Sequence, residues 1–190
     1  MKHSLALMAL ALSLPSAHAA AIFTDNFDAN PLGLNITPTG WSVSSGSVDV
    51  IGDGYFDFLP GNGRYLDLDG STSSAGVLSR SLLLAGNTSY IATFQLAGNH
   101  RNGNSDAVNV TFGDAQASYT LVPSAGFTTY SLAFTTGASG NYTLSFDDQG
   151  ADQMGALLDN VSVAAVPEPG GTALMLGGLA TVAIMRRRKQ

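Results

Sequence analysis

Apolar and polar residues alternate along the middle of this chain, and this period of two limits its fold more than any other feature. Tyr90, Phe94 and Leu96 lie in one phase, while Thr93 and Gln95 lie in the other. The same pattern recurs in three later segments: 108–112, 130–135 and 142–146. Because successive side chains of an extended strand point to opposite faces, the pattern predicts strands with one buried and one solvated face.

Clusters of Gly, Pro, Asn and Asp separate the alternating segments, as expected for turns. The clusters are residues 52–54, 60–63, 98–105, 123–126 and 137–141. Further strand-like segments are residues 41–51, 55–58, 64–68, 77–84, 117–122 and 157–163. With roughly ten strands and no convincing helix, residues 20–165 are predicted to form an all-β, antiparallel sandwich.

Negative charge dominates the chain between its two ends. The net charge of the whole chain is −6, but five of its eight basic residues lie in the terminal segments. Arg64, Arg80 and Arg101 are left to oppose thirteen aspartates, so residues 20–165 have a net charge near −10. Such a surface repels nucleic acid, whose phosphates need clustered Lys or Arg, and attracts divalent cations. The absence of cysteine excludes disulfides and thiolate metal sites, which leaves hard cations bound through oxygen.

The C-terminal segment, residues 166–190, has three parts: a Pro-rich motif at 166–171, an uncharged stretch at 172–185 and a basic tail at 186–190. The 14 residues of the stretch would span only about 21 Å as a helix, less than the roughly 30 Å of a bilayer core. Four cations follow directly, as the positive-inside rule expects, so we interpret it as a transmembrane helix rather than a core helix with a solvated end. The motif contains Val166, Pro167, Glu168 and Pro169, and the basic residues are Arg186, Arg187, Arg188 and Lys189.

The order of these three parts resembles the PEP-CTERM sorting signal of bacterial envelope proteins. That resemblance covers only the tail. It implies recognition by an exosortase-type membrane protease, cleavage near Pro167, Glu168 and Pro169, and transfer to the cell surface or the extracellular matrix.

The N-terminal segment has the pattern of an export signal. Lys2 and His3 precede an apolar run at residues 5–14, and Ala17 and Ala19 flank His18 in the small-x-small pattern that signal peptidase cleaves. Residues 1–19 are therefore predicted to be a signal peptide that directs export through the inner membrane. Residues 20–165, about 146 in number, are enough for one domain with one core.

Six short motifs between the two ends carry a second resemblance. They are Asn-Phe-Asp at 26–28, Gly-Trp-Ser-Val at 40–43, Gly-Ser-Val-Asp at 46–49, and the segments 65–70, 94–99 and 156–163. Together they resemble the secreted choice-of-anchor domains, which are similar to galactose-binding-like jelly rolls and many carbohydrate-binding modules. The resemblance spans residues 23–163 and implies a jelly-roll β-sandwich. It does not imply one ligand, because this architecture includes sugar-binding, adhesive and structural members.

Asp159 is the acidic residue with the most unusual predicted position. If no bulge intervenes, it shares the phase of Leu157, Val161 and Val163 in the last strand and points into the core. A lone buried charge would cost several kcal/mol, so the carboxylate should be paired, protonated or bound to a metal. In the alternative, Leu158 points inward and Asp159 is solvated.

The jelly-roll resemblance implies a structural calcium ion near this position. By that resemblance Asp28 and Asp159 are candidate ligands. Calcium binds six to eight oxygens, so backbone carbonyls and other side chains would complete the shell.

Two other acidic pairs are less favoured as calcium ligands. Asp67 and Asp69 are out of phase with the leucines beside them and are predicted to be solvent-exposed, and Asp147 and Asp148 lie near the end of their strand. A calcium role for either pair is the less favoured alternative.

Catalytic patterns are weak in residues 20–165, which contain no Glu, Lys or Cys and only one histidine, His100, in a polar loop. No Gly-x-Ser-x-Gly elbow is present, and the number of aspartates alone does not identify a glycosidase pair. We therefore predict that the protein is not an enzyme.

Sugar binding needs an aromatic ring and polar groups at its edge, and the chain offers several of each. The candidate rings are Tyr55, Phe56, Phe58, Tyr65 and Tyr119, and the candidate polar residues are Asn99, His100, Arg101 and Asn104. The aromatic residues predicted to be core are Trp41, Phe94, Phe134 and Phe146. The candidate rings and polar groups are not specific enough to assign a ligand site.

The predicted function is that of a non-catalytic exported protein of the cell surface or extracellular matrix, whose jelly roll associates with polysaccharide. The alternative is a structural or adhesive surface protein without specific glycan binding, glycosylated at Asn-x-Ser/Thr sequons such as those at Asn87, Asn109 and Asn141.

Overall fold

Eleven β-strands and no helix make up the part of the chain that the computed structural model describes, which is residues 20–72, 74–101, 103–150 and 152–167. The strands are β1 (Ala21–Asp25), β2 (Ser42–Ser44), β3 (Asp49–Gly52), β4 (Arg64–Asp67), β5 (Val77–Leu84), β6 (Ser89–Ala97), β7 (Asp106–Phe112), β8 (Ala115–Leu121), β9 (Thr128–Thr135), β10 (Gly140–Asp148) and β11 (Leu157–Ala165). Residues Ala20–Val166 form one compact unit.

Both predicted targeting segments, the N-terminal signal peptide and the C-terminal sorting signal, lie almost wholly outside the described residues. The signal peptide at 1–19, the helix at 172–185 and the basic tail at 186–190 are among the residues for which no structure is described, and only Val166 and Pro167 of the sorting motif are described. Within the described ranges, no helix is long and apolar enough to cross a membrane.

The strands form two antiparallel sheets. One has the order β3-β4-β11-β6-β9, with β1 also paired to β11, and the other has the order β2-β5-β10-β7-β8. The prediction of an all-β, antiparallel sandwich is confirmed. The main core lies between the sheets, where the apolar phase of the alternating strands packs.

Aromatic side chains connect the sheets across this core. Phe94 of β6 contacts Phe146 of β10 edge to face at 5.1 Å, and Trp41 lies 6.2 Å from Phe146. The indole Nε1 of Trp41 donates a hydrogen bond of 2.8 Å to Asp25 Oδ2, so its buried polar atom is satisfied. The predicted core positions of Trp41, Phe94, Phe134 and Phe146 are confirmed.

Two predicted strands are wrong because local turns override the apolar pattern. Residues 41–51 divide into β2 and β3, which belong to different sheets, at a turn where Ser45 and Gly46 have φ of 61° and 146°. Residues 55–58 form a loop instead of a strand. The short strand β1 was not predicted.

A β-bulge in β11 changes which residues face the core. The pairing of β11 with β6 shifts between Asp159 and Ser162, and Asn160 has φ of 50°. Leu158 and Val161 therefore both face the main core, and the predicted common phase of Asp159 and Val161 is wrong. In the alternative prediction, Leu158 points inward and Asp159 is solvated. It is right about Leu158 but wrong about Asp159, which is only 2% exposed.

A second, smaller apolar cluster lies on the outer face of the sheet that contains β11. Adjacent side chains of a strand point to opposite faces, so Leu157 points away from the core that Leu158 enters. It packs with Ile51, Tyr65 and Ala97, and the cluster is covered by Phe58, Leu59 and Phe127. The loop between β3 and β4 thus buries a face that alternation alone predicts to be wet.

Truncation of the central ring should show how much the core contributes to stability. We expect Phe94→Ala to lower the free energy of unfolding by about 3–5 kcal/mol, because Phe94 is fully buried and a cavity would remain. Leu83→Ala is the control, since Leu83 is 79% exposed and its loss should cost at most about 0.5 kcal/mol. Urea denaturation measures both values, and equal effects of the two variants would contradict this assignment of the core.

Candidate functional site

Four buried carboxylates lie where β4 and β10 end and β7 begins. These residues, here called the acidic end, are Asp67, Asp69, Asp106 and Asp148. The predicted exposure of Asp67 and Asp69 is wrong, since they are 2% and 0% exposed. Alternation does point Asp67 away from the main core, but loops cover it there.

The segment between β10 and β11 supplies much of that cover through backbone N–H groups. The amides of Asp152 and Gln153 donate to Asp69 Oδ2 at 2.8 and 3.0 Å. The amide of Gly155 donates to Asp67 Oδ1 at 3.0 Å, and the amide of Ala156 donates to Asp148 Oδ2 at 2.8 Å. The acidic side chains therefore order this loop by accepting its hydrogen bonds.

Burial sets the protonation of the acidic end. It raises the pKa of Asp67 to about 7 even though the charge of Arg101 acts in the opposite direction. Burial and the nearby charges of Asp148 and Asp152 raise the pKa of Asp106 to about 7. Burial raises the pKa of Asp148 to about 6. The acidic end therefore has too few positive charges to keep its carboxylates ionised at low energetic cost.

A pocket of about 190 Å³ opens beside Asp67 on the outer face of the same sheet. It is here called the Arg101 pocket. It is lined by Leu34, Asp49, Ile51, Phe56, Phe58, Asp67, Ser71, Arg101 and Gln153. Apolar, aromatic and charged groups thus meet in one concave site, as ligand sites require.

The guanidinium group of Arg101 is held from several sides. It pairs with Asp67, donates from Nη1 to the carbonyl of Gln153 at 2.7 Å, and lies 4.6 Å from the ring centroid of Phe58. Its Nε is buried and has no acceptor among the described residues. That Nε is closed to a ligand, but the side chain is 23% exposed, and a rigidly held guanidinium group can offer its remaining Nη N–H groups to a ligand oxygen.

An exposed aromatic ring borders the pocket. Phe56 is 54% exposed and meets Tyr55 edge to face at 4.9 Å. Its φ of 45° places a bulky side chain in the left-handed region, which costs of order 1–2 kcal/mol. Such strain is often found at functional positions, and the ring it presents has little else to pack against.

The pocket can provide three different contacts to one ligand. Ser71 donates its hydroxyl to Asp49 Oδ2 at 2.6 Å, so the lone pairs of that hydroxyl are left to accept. Arg101 can donate through the remaining N–H groups of its Nη atoms, and the Phe56 ring can stack. Hydroxyl groups both donate and accept, so a polyhydroxylated, uncharged molecule matches this set.

The structure brings together only some of the predicted sugar-binding residues. Phe56, Phe58 and Arg101 line the pocket, but Tyr65 is buried in the smaller cluster, and its hydroxyl donates to Asp57 Oδ1 at 3.0 Å. The others lie elsewhere: Tyr119 packs on Phe94 and Tyr130, Asn99 donates to Asp106, His100 Nε2 bonds the carbonyl of Ala125, and Asn104 does not line the pocket. Asp49 and Ser71 were missed because no motif links them to Arg101.

The predicted calcium ligands Asp28 and Asp159 lie near each other, with Asp25 beside them. Burial and the charges of Asp28 and Asp25 raise the pKa of Asp159 to about 7. A cation would relieve this repulsion, so the charge of the group fits calcium. Asp28 is exposed, however, and accepts hydrogen bonds from Arg64 N and Asn26 Nδ2.

The shell of such an ion would need further oxygens. Among the described residues, no three His, Cys, Asp or Glu side chains form a group that could hold a metal ion. Asp159 and Asp28 would therefore hold calcium only together with backbone carbonyls and water. Calcium at this pair stays a prediction.

Comparison with known proteins identifies the fold. No protein-family model and no curated protein matches the chain. The CBM22-1 xylan-binding domain from Paenibacillus barcinonensis aligns with a TM-score of 0.57 at 16% identity, over 81% of this chain and 99% of that one. A cyclase from Fischerella sp. TAU aligns with a TM-score of 0.56 at 19% identity, over 80% of this chain and 100% of that one.

A third similar structure joins the same kind of domain to an enzyme. It is the CBM22-1 and GH10 modules of an endo-1,4-beta-D-xylanase from Clostridium thermocellum, complexed with xylohexaose. The TM-score is 0.51 at 14% identity, over 80% of this chain and 30% of that one. At these identities the likeness shows only the fold, a jelly-roll sandwich similar to carbohydrate-binding modules, which other proteins use for both binding and catalysis.

The buried carboxylates predict an unusual response to pH. In the unfolded chain an Asp takes up a proton near pH 4, whereas Asp67, Asp106 and Asp159 do so near pH 7 in the folded protein. Between these pH values the folded protein binds more protons than the unfolded chain does. The free energy of unfolding therefore falls as the pH rises from about 4 to 7. We expect a higher midpoint of thermal unfolding at pH 5 than at pH 8 in chelator.

Asp106→Asn should reduce this difference in midpoint, because it removes one of the titrating groups. Asp114→Asn is the matched control, since Asp114 is exposed and should leave the difference unchanged. A midpoint that is higher at pH 8 than at pH 5 in the parent protein would contradict the burial of these carboxylates.

Proposed function

We propose that this domain is a non-catalytic module that associates with polysaccharide through the Arg101 pocket. The observation that carries the proposal is a pocket in which the guanidinium group of Arg101, held by Asp67, Gln153 and Phe58, lies with an exposed aromatic ring, Phe56. The similarity in fold to a xylan-binding domain supports the class of ligand but not a particular sugar.

The strained Phe56 supports this assignment. A left-handed φ at a Phe is unfavourable in itself, and Gly would fit the loop better. The ring is exposed where a pyranose could stack its C–H face on it. The strain at Phe56 thus lowers the stability of the folded protein at a position where the ring could stabilise a bound ligand.

The size and charge of the site limit which ligands it can bind. A pocket of about 190 Å³ is smaller than the roughly 300–1,000 Å³ of sites that enclose drug-sized molecules. It would hold one unit of a longer chain, whose other units remain outside. The net charge of the domain, near −10, disfavours polyanionic glycans and favours neutral ones.

The hydrogen bonding of Asp49 and Asp67 supports a role without catalysis. Both carboxylates line the pocket, and a raised pKa such as that of Asp67 is typical of a glycosidase acid. Every oxygen of the two already accepts at least one hydrogen bond, however: Asp67 from Asp69 N, Gly155 N and Arg101, and Asp49 from Asn35 N, Ser71 N and Ser71 Oγ. Neither side chain is free to act on a substrate.

Removal of the exposed ring should weaken glycan binding without unfolding the protein. On a glycan array probed with the full-length chain, we expect selective binding to at least one neutral polysaccharide. Phe56→Gly should weaken that binding at least about tenfold, which corresponds to about 1.4 kcal/mol of lost stacking. The midpoint of thermal unfolding should not fall, because Gly relieves the left-handed strain.

Leu83→Ala is the control for this variant, since it removes an exposed apolar side chain, 79% exposed against 54% for Phe56, from a strand that does not line the pocket. Unchanged affinity in Phe56→Gly would refute the pocket as the binding site. A folded protein that binds no glycan on the array would favour the structural or adhesive alternative.

We further propose, from the sequence alone, that the protein is exported and sorted by its PEP-CTERM tail. Signal peptidase would cleave after Ala19, the helix at 172–185 would hold the chain in the membrane, and an exosortase-type protease would release it near Pro167 and Pro169. Mass spectrometry of the surface or matrix form should find an N-terminus at Ala20 and no residues 172–190. A surface form with the intact tail would contradict this route.

A further inference from the structure

A further open pocket, which the proposed function does not use, has a volume of about 490 Å³ and is here called the Tyr142 pocket. The turn between β7 and β8, the end of β9 with the loop after it, and the start of β10 build it. It is lined by Gly113, Asp114, Phe134, Thr135, Gly137, Asn141, Tyr142 and Thr143.

Strand pairing places the Tyr142 pocket and the Arg101 pocket at opposite ends of β6. Asp67, which lines the Arg101 pocket, pairs with Leu157, and Leu157 pairs in turn with Ala97 at the end of β6. Thr135, which lines the Tyr142 pocket, pairs with Ser89 at the start of β6. The strand has 9 residues, so its ends lie about 27 Å apart at roughly 3.4 Å per residue. One sugar unit cannot occupy both pockets.

The Tyr142 side chain is held in a fixed position in its pocket. Its hydroxyl donates to the carbonyl of Ala138 at 2.7 Å, and its ring lies 4.9 Å from that of Phe134. Phe134 in turn lies against the turn at Gly113, where a Cβ would be 2.3 Å from the Phe134 ring. Tyr142 is only half-buried and lines the pocket, so it can contact a ligand with little loss of side-chain freedom.

Polar side chains without internal partners line the same pocket. Asn141, Thr143 and Asp114 are exposed, and within the described residues their side chains make no hydrogen bond. An amide and a hydroxyl both donate and accept, and a carboxylate accepts, so together they match the hydroxyl groups of a sugar. A ring with free polar groups beside it is the arrangement that sugar binding needs.

The Tyr142 pocket lies in the uncharged part of the chain. Residues 115–146, which include β8, β9 and most of β10, contain no Asp, Glu, Lys, Arg or His, and Asp114 is the one charged residue of the lining. An uncharged polymer can therefore cover this surface with little desolvation of ions. The same class of ligand, a neutral polysaccharide, suits both pockets.

The two pockets also open in different directions. The Arg101 pocket lies on the outer face of the sheet that contains β4. Asn141 and Thr143 alternate with Tyr142 and Leu144, which pack towards the core, so they point to the outer face of the other sheet. A single polysaccharide chain would have to bend around the sandwich to fill both pockets, whereas two chains would not.

We propose that the Tyr142 pocket is a second binding site for neutral polysaccharide, so that one domain links two polysaccharide chains. This inference rests on the proposed function, because linking requires the Arg101 pocket to hold the other chain. No oligomer of the protein is needed for it.

Calorimetric titration of the full-length protein with a soluble oligosaccharide of the glycan selected on the array tests the second site. We expect two oligosaccharides per protein molecule. Phe56→Gly should weaken one site, and Asn141→Ala combined with Thr143→Ala should weaken the other at least about tenfold, because the sugar loses two hydrogen bonds. Both of these residues are exposed, so the double variant should fold.

Asn109→Ala combined with Thr111→Ala is the matched control. It removes the same two residue types from the outward phase of β7, in the same sheet as β10, and neither residue lines either pocket. Both sites should keep the affinity of the parent protein.

Linking is measured by immobilising the polysaccharide, binding the protein and adding the same polysaccharide with a fluorescent label. The parent protein should retain the label, whereas the Phe56 variant and the Asn141 and Thr143 double variant should bind the surface but retain little of it. One oligosaccharide per protein, weakened only by Phe56→Gly, would overturn the second site and leave the Arg101 pocket intact. One oligosaccharide weakened only in the double variant would refute the Arg101 pocket and overturn linking. A folded protein that binds no oligosaccharide would overturn both proposals.

Discussion

The burial of carboxylates without matching positive charges is the constraint on which the rest of this structure depends. Four aspartates are buried at the acidic end, and in the described part of the chain only Asp67 among them has an arginine partner. Asp69 and Asp148 accept backbone amides of the loop between β10 and β11, and Asp106 accepts from the side chain of Asn99. The same loop contributes Gln153 to the lining of the Arg101 pocket, and Asp67 lines it too. The electrostatics of the acidic end and the geometry of the pocket are therefore coupled.

The sandwich and its loops have different roles, and this difference follows from the same constraint. The core between the sheets is filled by aromatic rings such as Phe94 and Phe146, and polar atoms at its edge are satisfied locally: Trp41 donates to Asp25, and the hydroxyl of Tyr90 accepts from Ala85 N. The loops carry the strain, the charge and the exposed ring of Phe56. A rigid scaffold with adapted loops is the usual basis of binding function, and our proposal places that function on the outer face that carries the Arg101 pocket.

The sequence predicted the sheets better than the site. Alternation at residues such as Tyr90 and Phe94 was enough to assign strands and core, because a half-buried strand leaves a clear period of two. The same logic failed at Asp159, since a one-residue bulge at Asn160 inverts the phase and leaves no trace in composition. It failed at Asp67 and Asp69 because alternation says which face a side chain takes, not whether a distant loop covers that face. The meeting of Phe56, Ser71 and Arg101 depends on three loops and could not be read from local pattern.

The most direct test of this account is a crystal structure of the protein with a soluble oligosaccharide of the glycan selected on the array. Our account predicts electron density for a sugar unit stacked on Phe56 and hydrogen-bonded to Arg101. Sugar density elsewhere on the sandwich, with the Arg101 pocket filled only by water, would contradict it.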